Sequence, residues 1–362
     1  MKDVVVTFGE IMTRLSAPGH LRVRQCLPGA FNASFAGAES NIAAAIAILG
    51  GRSRFVTALP QNILGESCVD FLRGFGVDTS CILKTEAGRM SQYFIETGAG
   101  LRPGRVLYDR GQSSFSLTQG ADYRWDDIFA DASWLVVSGI SPALSATAAE
   151  ATLRAAKEAR ARGVTVCCDL NFRSMLWQWE PGTPARELAR RVMGEIMPCV
   201  DVLLTNPEQA ADVLGVPWAG APTSGDATDA YAGAARVIGR AYPQLRQVVF
   251  TMRESHSASR NHIGAQLYDV ASDQVVLAPL VDGVYAPYEM DFIVDRLGAG
   301  DAFAGGLIYA LHTQGLDKLA AALSFAVAAS CLAHSIPGDI NFVSRAEVEA
   351  LMTGDRSGRV VR

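Results

Sequence analysis

The chain has 362 residues, 49% of them hydrophobic and 19% charged, enough to bury a large core as one big domain or two. A formal net charge of -5 and the lack of any basic run remove the electrostatic case for nucleic acid or an anionic membrane. No apolar segment approaches the roughly 20 residues that span a bilayer, and charges with Gly and Pro interrupt the first thirty residues where a signal peptide needs an apolar run, so a cytoplasmic protein is expected.

Short β-branched runs alternate with Ala-rich amphipathic stretches. The spacing predicts strands at Val4 to Phe8, Arg54 to Ala58, Trp134 to Ser138, Val164 to Asp169, Val202 to Thr205 and Val248 to Thr251. Helices are predicted at Asn41 to Leu49, Glu66 to Phe75, Ala146 to Arg162, Ala185 to Met197, Pro207 to Leu214, Asp229 to Arg240 and Ala302 to Leu311. Gly163 reads as a stop after one helix and Pro207 as the first residue of another. This order predicts an α/β fold, a doubly wound, mostly parallel sheet with helices on both faces.

Two regions break the rhythm, residues 14–35 and 90–115, rich in Gly, Arg, Ser and aromatic residues with short alternating stretches. They read as antiparallel strands of a small sheet that closes over a site as a lid or pairs with a second subunit. Pro217 to Asp229 reads as a surface linker. The seven cysteines are scattered and read as reduced thiols; Cys167 and Cys168, adjacent in a strand, should point to opposite faces. The five histidines are dispersed along the chain, which predicts no transition-metal centre.

Ala36-Gly37-Ala38-Glu39-Ser40-Asn41 leads into a helix, a turn that exposes main-chain donors where a polyhydroxylated ligand docks, with Asn41 offering both a donor and an acceptor. Asp169-Leu170-Asn171-Phe172-Arg173 follows a strand at its carboxyl end, where open α/β sheets place ligands, and Arg173 suits a carboxylate or phosphate. Arg110, with Tyr93 and Tyr108, would lie on the lid and surround an acid substrate. The most specific run is Asp295 to Gly306, in which Gly298-Ala299-Gly300 precedes Asp301 at a helix start. Converging amides there favour a multiply charged anion, and Asp301 beside them can take a proton from an attacking hydroxyl.

The last of these runs resembles the C-terminal signature of the ribokinase-like (PfkB) carbohydrate kinases, and Gly37, Ala38 and Asn41 resemble their sugar-binding element except that Ala36 replaces its first glycine. Tyr93, Tyr108, Arg110, Asp169, Asn171, Arg173, Leu176 and Trp177 resemble the pattern of one branch, the 2-keto-3-deoxygluconate kinases. The resemblance implies ATP with Mg2+, a sugar acid phosphorylated on its terminal hydroxyl, Asp301 as base, and an anion hole at Gly298, Ala299 and Gly300. It also implies a nucleotide side comprising Asn171, Asn206, Thr251, Arg253 and Ser255, and a homodimer through the lid sheet. Two places depart from the family: the acid that helps organise Mg2+ reads Gln209, leaving Glu208 one residue early as the metal candidate, and the nucleotide loop from Arg253 to Ser259 lacks the usual glycines. A neutral-sugar kinase, a kinase of another keto acid and a binding protein without turnover remain as alternatives; a dinucleotide oxidoreductase is disfavoured because no Gly-x-Gly-x-x-Gly follows the first strand.

Overall fold

The strands Arg52–Val56, Val4–Phe8, Ala132–Ser138, Thr165–Asp169, Val202–Thr205 and Gln247–Ser255 lie side by side in that order, every neighbouring pair parallel. The computed structural model that places them describes residues 2–218, 220, 227–314 and 318–354; residues 219 and 221–226 of the expected linker lie outside the described residues. An antiparallel extension follows at one edge: Asn261–Asp269 pairs with Gln247–Ser255, then with Gln274–Ala278 and Tyr288–Met290.

Both faces of the parallel strands are buried, which is why they read as unbroken apolar runs rather than alternating ones. Val4, Val6, Phe8, Leu135, Val137 and Cys168 pack under the helices Ala146–Ala161, Ala185–Ile196, Pro207–Leu214 and Ala227–Ala241. Val5, Val136, Cys167 and Val249 pack on the other face under Ala38–Ile48, Ala299–Gln314, Leu319–Ala333 and Arg345–Met352. The two adjacent cysteines therefore sit on opposite faces, as strand geometry requires. Ser145, Asn206 and Ser344 accept the free amides of their helices, and Gly163, with φ at 69°, ends Ala146–Ala161 in the left-handed region.

The lid is a separate sheet in the order Asn32–Ala36, Met12–Ser16, Gln92–Glu96, Arg105–Asp109. Its outer pairs are antiparallel, as expected, but the central pair, Met12–Ser16 with Gln92–Glu96, is parallel, and the sheet starts before residue 14. The two segments reach the lid from separate crossovers, so their strands enter in the same direction.

A buried ion cluster joins lid to core. Arg14 on the lid donates to Asp295, at 2.6 Å, and to Asp339, and Asp339 in turn accepts from the hydroxyl of Tyr93 at 2.9 Å. Replacing one member strands the others in a poorly hydrated place. Arg14→Ala should lower the unfolding free energy by about 3–5 kcal/mol, measured by urea titration; a loss below about 1 kcal/mol would show that lid and core are held by something else.

Candidate active site

Two helix N-termini face one another across a single side-chain contact. Gly37 caps Ala38–Ile48, and Asn41 in its first turn is bonded at both ends of its amide: Oδ1 accepts from the Gly37 N–H at 3.3 Å, and Nδ2 donates to Asp301 Oδ2 at 2.7 Å. Asp301 lies in the first turn of Ala299–Gln314, which begins three residues earlier than its apolar run suggests. Ala299 and Gly300 are thus the first helical residues, and their N–H groups, with that of Asp301, have no intrahelical partner. Gly298 has φ at 79°, and a Cβ on it would fall on the Asp339 carbonyl, so this turn admits only glycine. Further along, a Cβ at Gly305 would meet Ala45 Cβ at 2.9 Å, which is why the two helices approach closely enough for the Asn41 contact.

Burial pushes Asp301 up to about 8; the Asn41 bond opposes this, while the nearby Asp339, Asp169 and Glu39 carboxylates add to it. The same cause raises Asp169 to about 6 at the end of its strand, against the pull of Arg173 and of the Asn171 N–H, which donates to its Oδ1 at 3.1 Å. Glu39 is wholly buried and raised by that burial, with one oxygen accepting from Ser138 and Ser141 at 2.6 and 3.0 Å. Around these acids stand four guanidiniums: Arg110, Arg173, Arg253 and Arg296. Arg253 is surface-accessible, yet the protein around it still reduces its solvation, and with Arg173 nearby its affinity for a proton falls. An electropositive rim over an acidic floor suits a polyanion that must meet a base.

One cavity of about 530 Å³ is lined by Gly37, Ala38, Asn41, Tyr93, Tyr108, Arg110, Asn171, Arg173, Asn206, Glu208, Thr251, Arg253 and Gly298 to Asp301, so every residue expected at the site is brought together there except Ser255. Ser255 instead ends the strand Gln247–Ser255, paired with Asn261, because this strand runs past Thr251 where a loop was expected. Arg110 donates from Nε to the buried Glu10 at 2.7 Å and lies over the Tyr108 ring, leaving its terminal nitrogens without a hydrogen bond among the described residues. Asn206 accepts the Gln209 N–H at 2.8 Å as a helix cap, and Glu208 accepts from the Trp218 indole at 3.0 Å. Both Glu208 and Gln209 line the cavity, and their oxygens are the hard donors that Mg2+ takes beside phosphate.

Sequence reasoning passed over Glu10, Glu39, Arg296 and Asp339. Arg296 and Asp339 line the cavity; Arg296 stands in the conspicuous run from Asp295 to Gly306, and Asp339 follows Pro337-Gly338 near the C-terminus. Glu10 and Glu39 carried a signal too: each is an acid inside an otherwise apolar or small-residue stretch that turns out to be buried.

Comparison with known proteins agrees with this geometry over nearly the whole chain. A 2-dehydro-3-deoxygalactonokinase of Haloferax volcanii is 32% identical over 358 residues, 99% of either chain. A 2-dehydro-3-deoxygluconokinase of Thermoproteus tenax is 29% identical, covering 92% of this chain and 89% of its own. The crystal structure of 2-dehydro-3-deoxygluconokinase from Thermotoga maritima superposes with a TM-score of 0.87 at 40% identity, covering 97% of this chain and 100% of that one. Residues 2–252 match the pfkB family of carbohydrate kinases, and the chain belongs to that family as a sugar kinase.

Proposed function

We propose that the chain transfers the γ-phosphoryl group of ATP to the terminal hydroxyl of 2-keto-3-deoxygluconate. The observation that carries the reading is the placement of Arg110 and Arg173 on the same cavity as Asp301, since a neutral sugar has no charge for two guanidiniums to meet. The relatives named for 2-dehydro-3-deoxy sugar acids support it from outside. Arg110, Arg173, Tyr93 and Tyr108 hold the carboxylate end; the Gly37 and Ala38 turn takes the hydroxyls. Asn41 is better described as the residue that orients Asp301 than as a free sugar ligand, because both ends of its amide are engaged.

Asp301 Oδ2 is bound to Asn41, which leaves Oδ1 for the substrate. The hydroxyl gives its proton to Asp301, its oxygen bonds to the γ-phosphorus, and the bond from that phosphorus to the bridging oxygen breaks, releasing ADP. The Ala299 and Gly300 amides at the helix N-terminus stabilise charge on the moving group. Glu208 and Gln209 would hold Mg2+, which supplies the remaining charge compensation when bound with the nucleotide. Arg253, Thr251, Asn206 and Asn171 form the nucleotide side. A cytoplasmic location follows from ATP as donor, and a homodimer through the lid follows from its edge strand Arg105–Asp109, which exposes Leu107; a monomer in sedimentation would exclude the dimer.

Asp301→Asn should lower kcat by roughly 10²- to 10⁴-fold with the fold intact, and near-normal turnover would remove Asp301 from the base role. Its raised proton affinity sets a pH dependence: kcat/KM should climb about tenfold per unit up to about pH 8 and then level, because only the ionised form accepts the proton. Stability runs the opposite way. The folded carboxyl holds its proton to about pH 8 while the unfolded one releases it near 4, so stability contributed by this group falls as pH rises between those values. Asp301→Asn should therefore unfold at higher urea than the parent at pH 8 or above, by roughly 1–3 kcal/mol.

Arg110→Ala should raise KM for the sugar acid at least about tenfold and leave that for ATP unchanged. An ATP-consumption assay across both C4 epimers of the 2-keto-3-deoxy acid, fructose and ribose tests the substrate class; preference for a neutral sugar would overturn it.

A further inference from the structure

The histidines look dispersed in the sequence, yet the hairpin of Gln247–Ser255 and Asn261–Asp269 brings two of them together with an acid. Glu254 and His262 are cross-strand partners, and His256 follows Glu254 by two residues on the same face, held there by its N–H bond to the Arg260 carbonyl at 3.0 Å. His256 Nε2 lies 3.3 Å from His262 Nδ1, while the two Glu254 oxygens lie 3.5 Å from His256 Nε2 and 3.4 Å from His262 Nδ1. Each ring nitrogen thus faces its own carboxylate oxygen, and one donor atom from each of the three residues lies within 4.8 Å of the other two. None of the three residues lines the catalytic cavity.

Protons alone leave one contact unsatisfied in every arrangement. If only His256 carries a hydrogen on the facing nitrogen, the His262 lone pair opposes a carboxylate oxygen; if only His262 does, the conflict moves to His256. If both do, each N–H can donate to its own carboxylate oxygen, but the two nitrogens then stand 3.3 Å apart with no bond between them. A cation at the centre satisfies all three contacts at once. Ligands held at 2.0–2.1 Å in tetrahedral geometry are about 3.3–3.4 Å apart, the spacing of the two ring nitrogens and close to that of each nitrogen from its nearer carboxylate oxygen. The remaining nitrogen of His262, Nε2, is buried with no hydrogen-bond partner among the described residues, so nothing there opposes a proton on Nε2 and a lone pair on Nδ1.

We propose that Glu254, His256 and His262 form a site for one divalent transition-metal ion of the zinc class, with water as the fourth ligand. Two imidazoles and one carboxylate suit zinc, cobalt or nickel and not magnesium or calcium, which favour oxygen. The exposure of Glu254 and His256 leaves the fourth position open to solvent. The ion would also brace a segment that matters to catalysis, since Arg296, just before the anion hole, donates to the Ala258 carbonyl and to Asn261 Oδ1, each at 2.9 Å, within this hairpin.

The test uses the full chain, stripped with a chelator and free of nucleotide, titrated with ZnCl2 by calorimetry and with CoCl2 by visible absorption. The expected result is one equivalent of Zn2+ bound in the presence of excess Mg2+, with affinity reduced roughly 100-fold or more in His256→Ala and in Glu254→Gln. The cobalt form should show the strong visible bands of four-coordination without thiolate charge transfer. Because the side chains of Glu254 and His256 are accessible, both variants should fold, which thermal unfolding checks. No saturable Zn2+ binding, equal binding by both variants, or a thiolate signature would each overturn the site.

Discussion

The contact between Asn41 and Asp301 is the constraint on which the rest of the molecule turns, because it ties the first turns of two helices to one half-buried carboxylate on the cavity wall. Aligned N-termini favour negative charge, and one amide bond adds to that, but neither offsets the lost hydration. A carboxylate left in that state holds a proton tightly, which is what a base for a hydroxyl needs near neutral pH. Close packing is the precondition. Gly305 against Ala45 and Gly306 against Ala329 let the Ala299–Gln314 helix settle between its neighbours, so the last residues of the signature serve geometry. Larger side chains there would separate the helices and break the Asn41–Asp301 bond.

The lid meets this machinery through Asp295. Its carboxylate accepts four donors: Arg14 from the lid, the Gly338 N–H from the C-terminal loop, and the N–H groups of Arg296 and Leu297 at the entry to the anion-hole turn. An acid with two donors on each oxygen, one of them a guanidinium, is a rigid joint. The second acid on Arg14, Asp339, meets both sides, its carbonyl lying against Gly298 of the turn and its carboxylate accepting from Tyr93 of the lid in the cavity wall. The lid's cavity wall and the turn before Asp301 thus share one buried ionic unit.

What the sequence made legible follows from burial. The parallel strands stood out because both their faces are covered, and the signature stood out because the whole string from Asp295 to Gly306 is specific where glycine before an acid at a helix start is common. The helix Leu319–Ala333 did not, since it is buried nearly all round and shows no polar face to mark its period. The antiparallel edge from Asn261 to Ala278 was missed for a related reason: its register depends on a hairpin whose turn has no Asn-Gly or Asp-Gly signal. That same register joins His256 to His262, a relation between strands that spacing along the chain does not express. Glu39 and Asp339 needed the third dimension too, because each is defined by what surrounds it.

The displaced acid at the metal side illustrates how local rules limit substitution. Pro207 begins its helix and Asn206 caps it by taking the Gln209 N–H, so the helix frame at this point is fixed and the acid cannot be recovered by sliding the chain. Moving a carboxylate from 209 to 208 rotates it by about 100° around the axis. In a longer helix that step would turn it away from the cavity. Here both positions lie in the first turn, at the rim where the helix meets the strand end, and both still line the cavity. The Trp218 indole holds Glu208 by one oxygen and leaves the other for a cation or its water shell. The acid at 208 therefore stays on the cavity wall, and the amide at 209 adds an oxygen donor beside it.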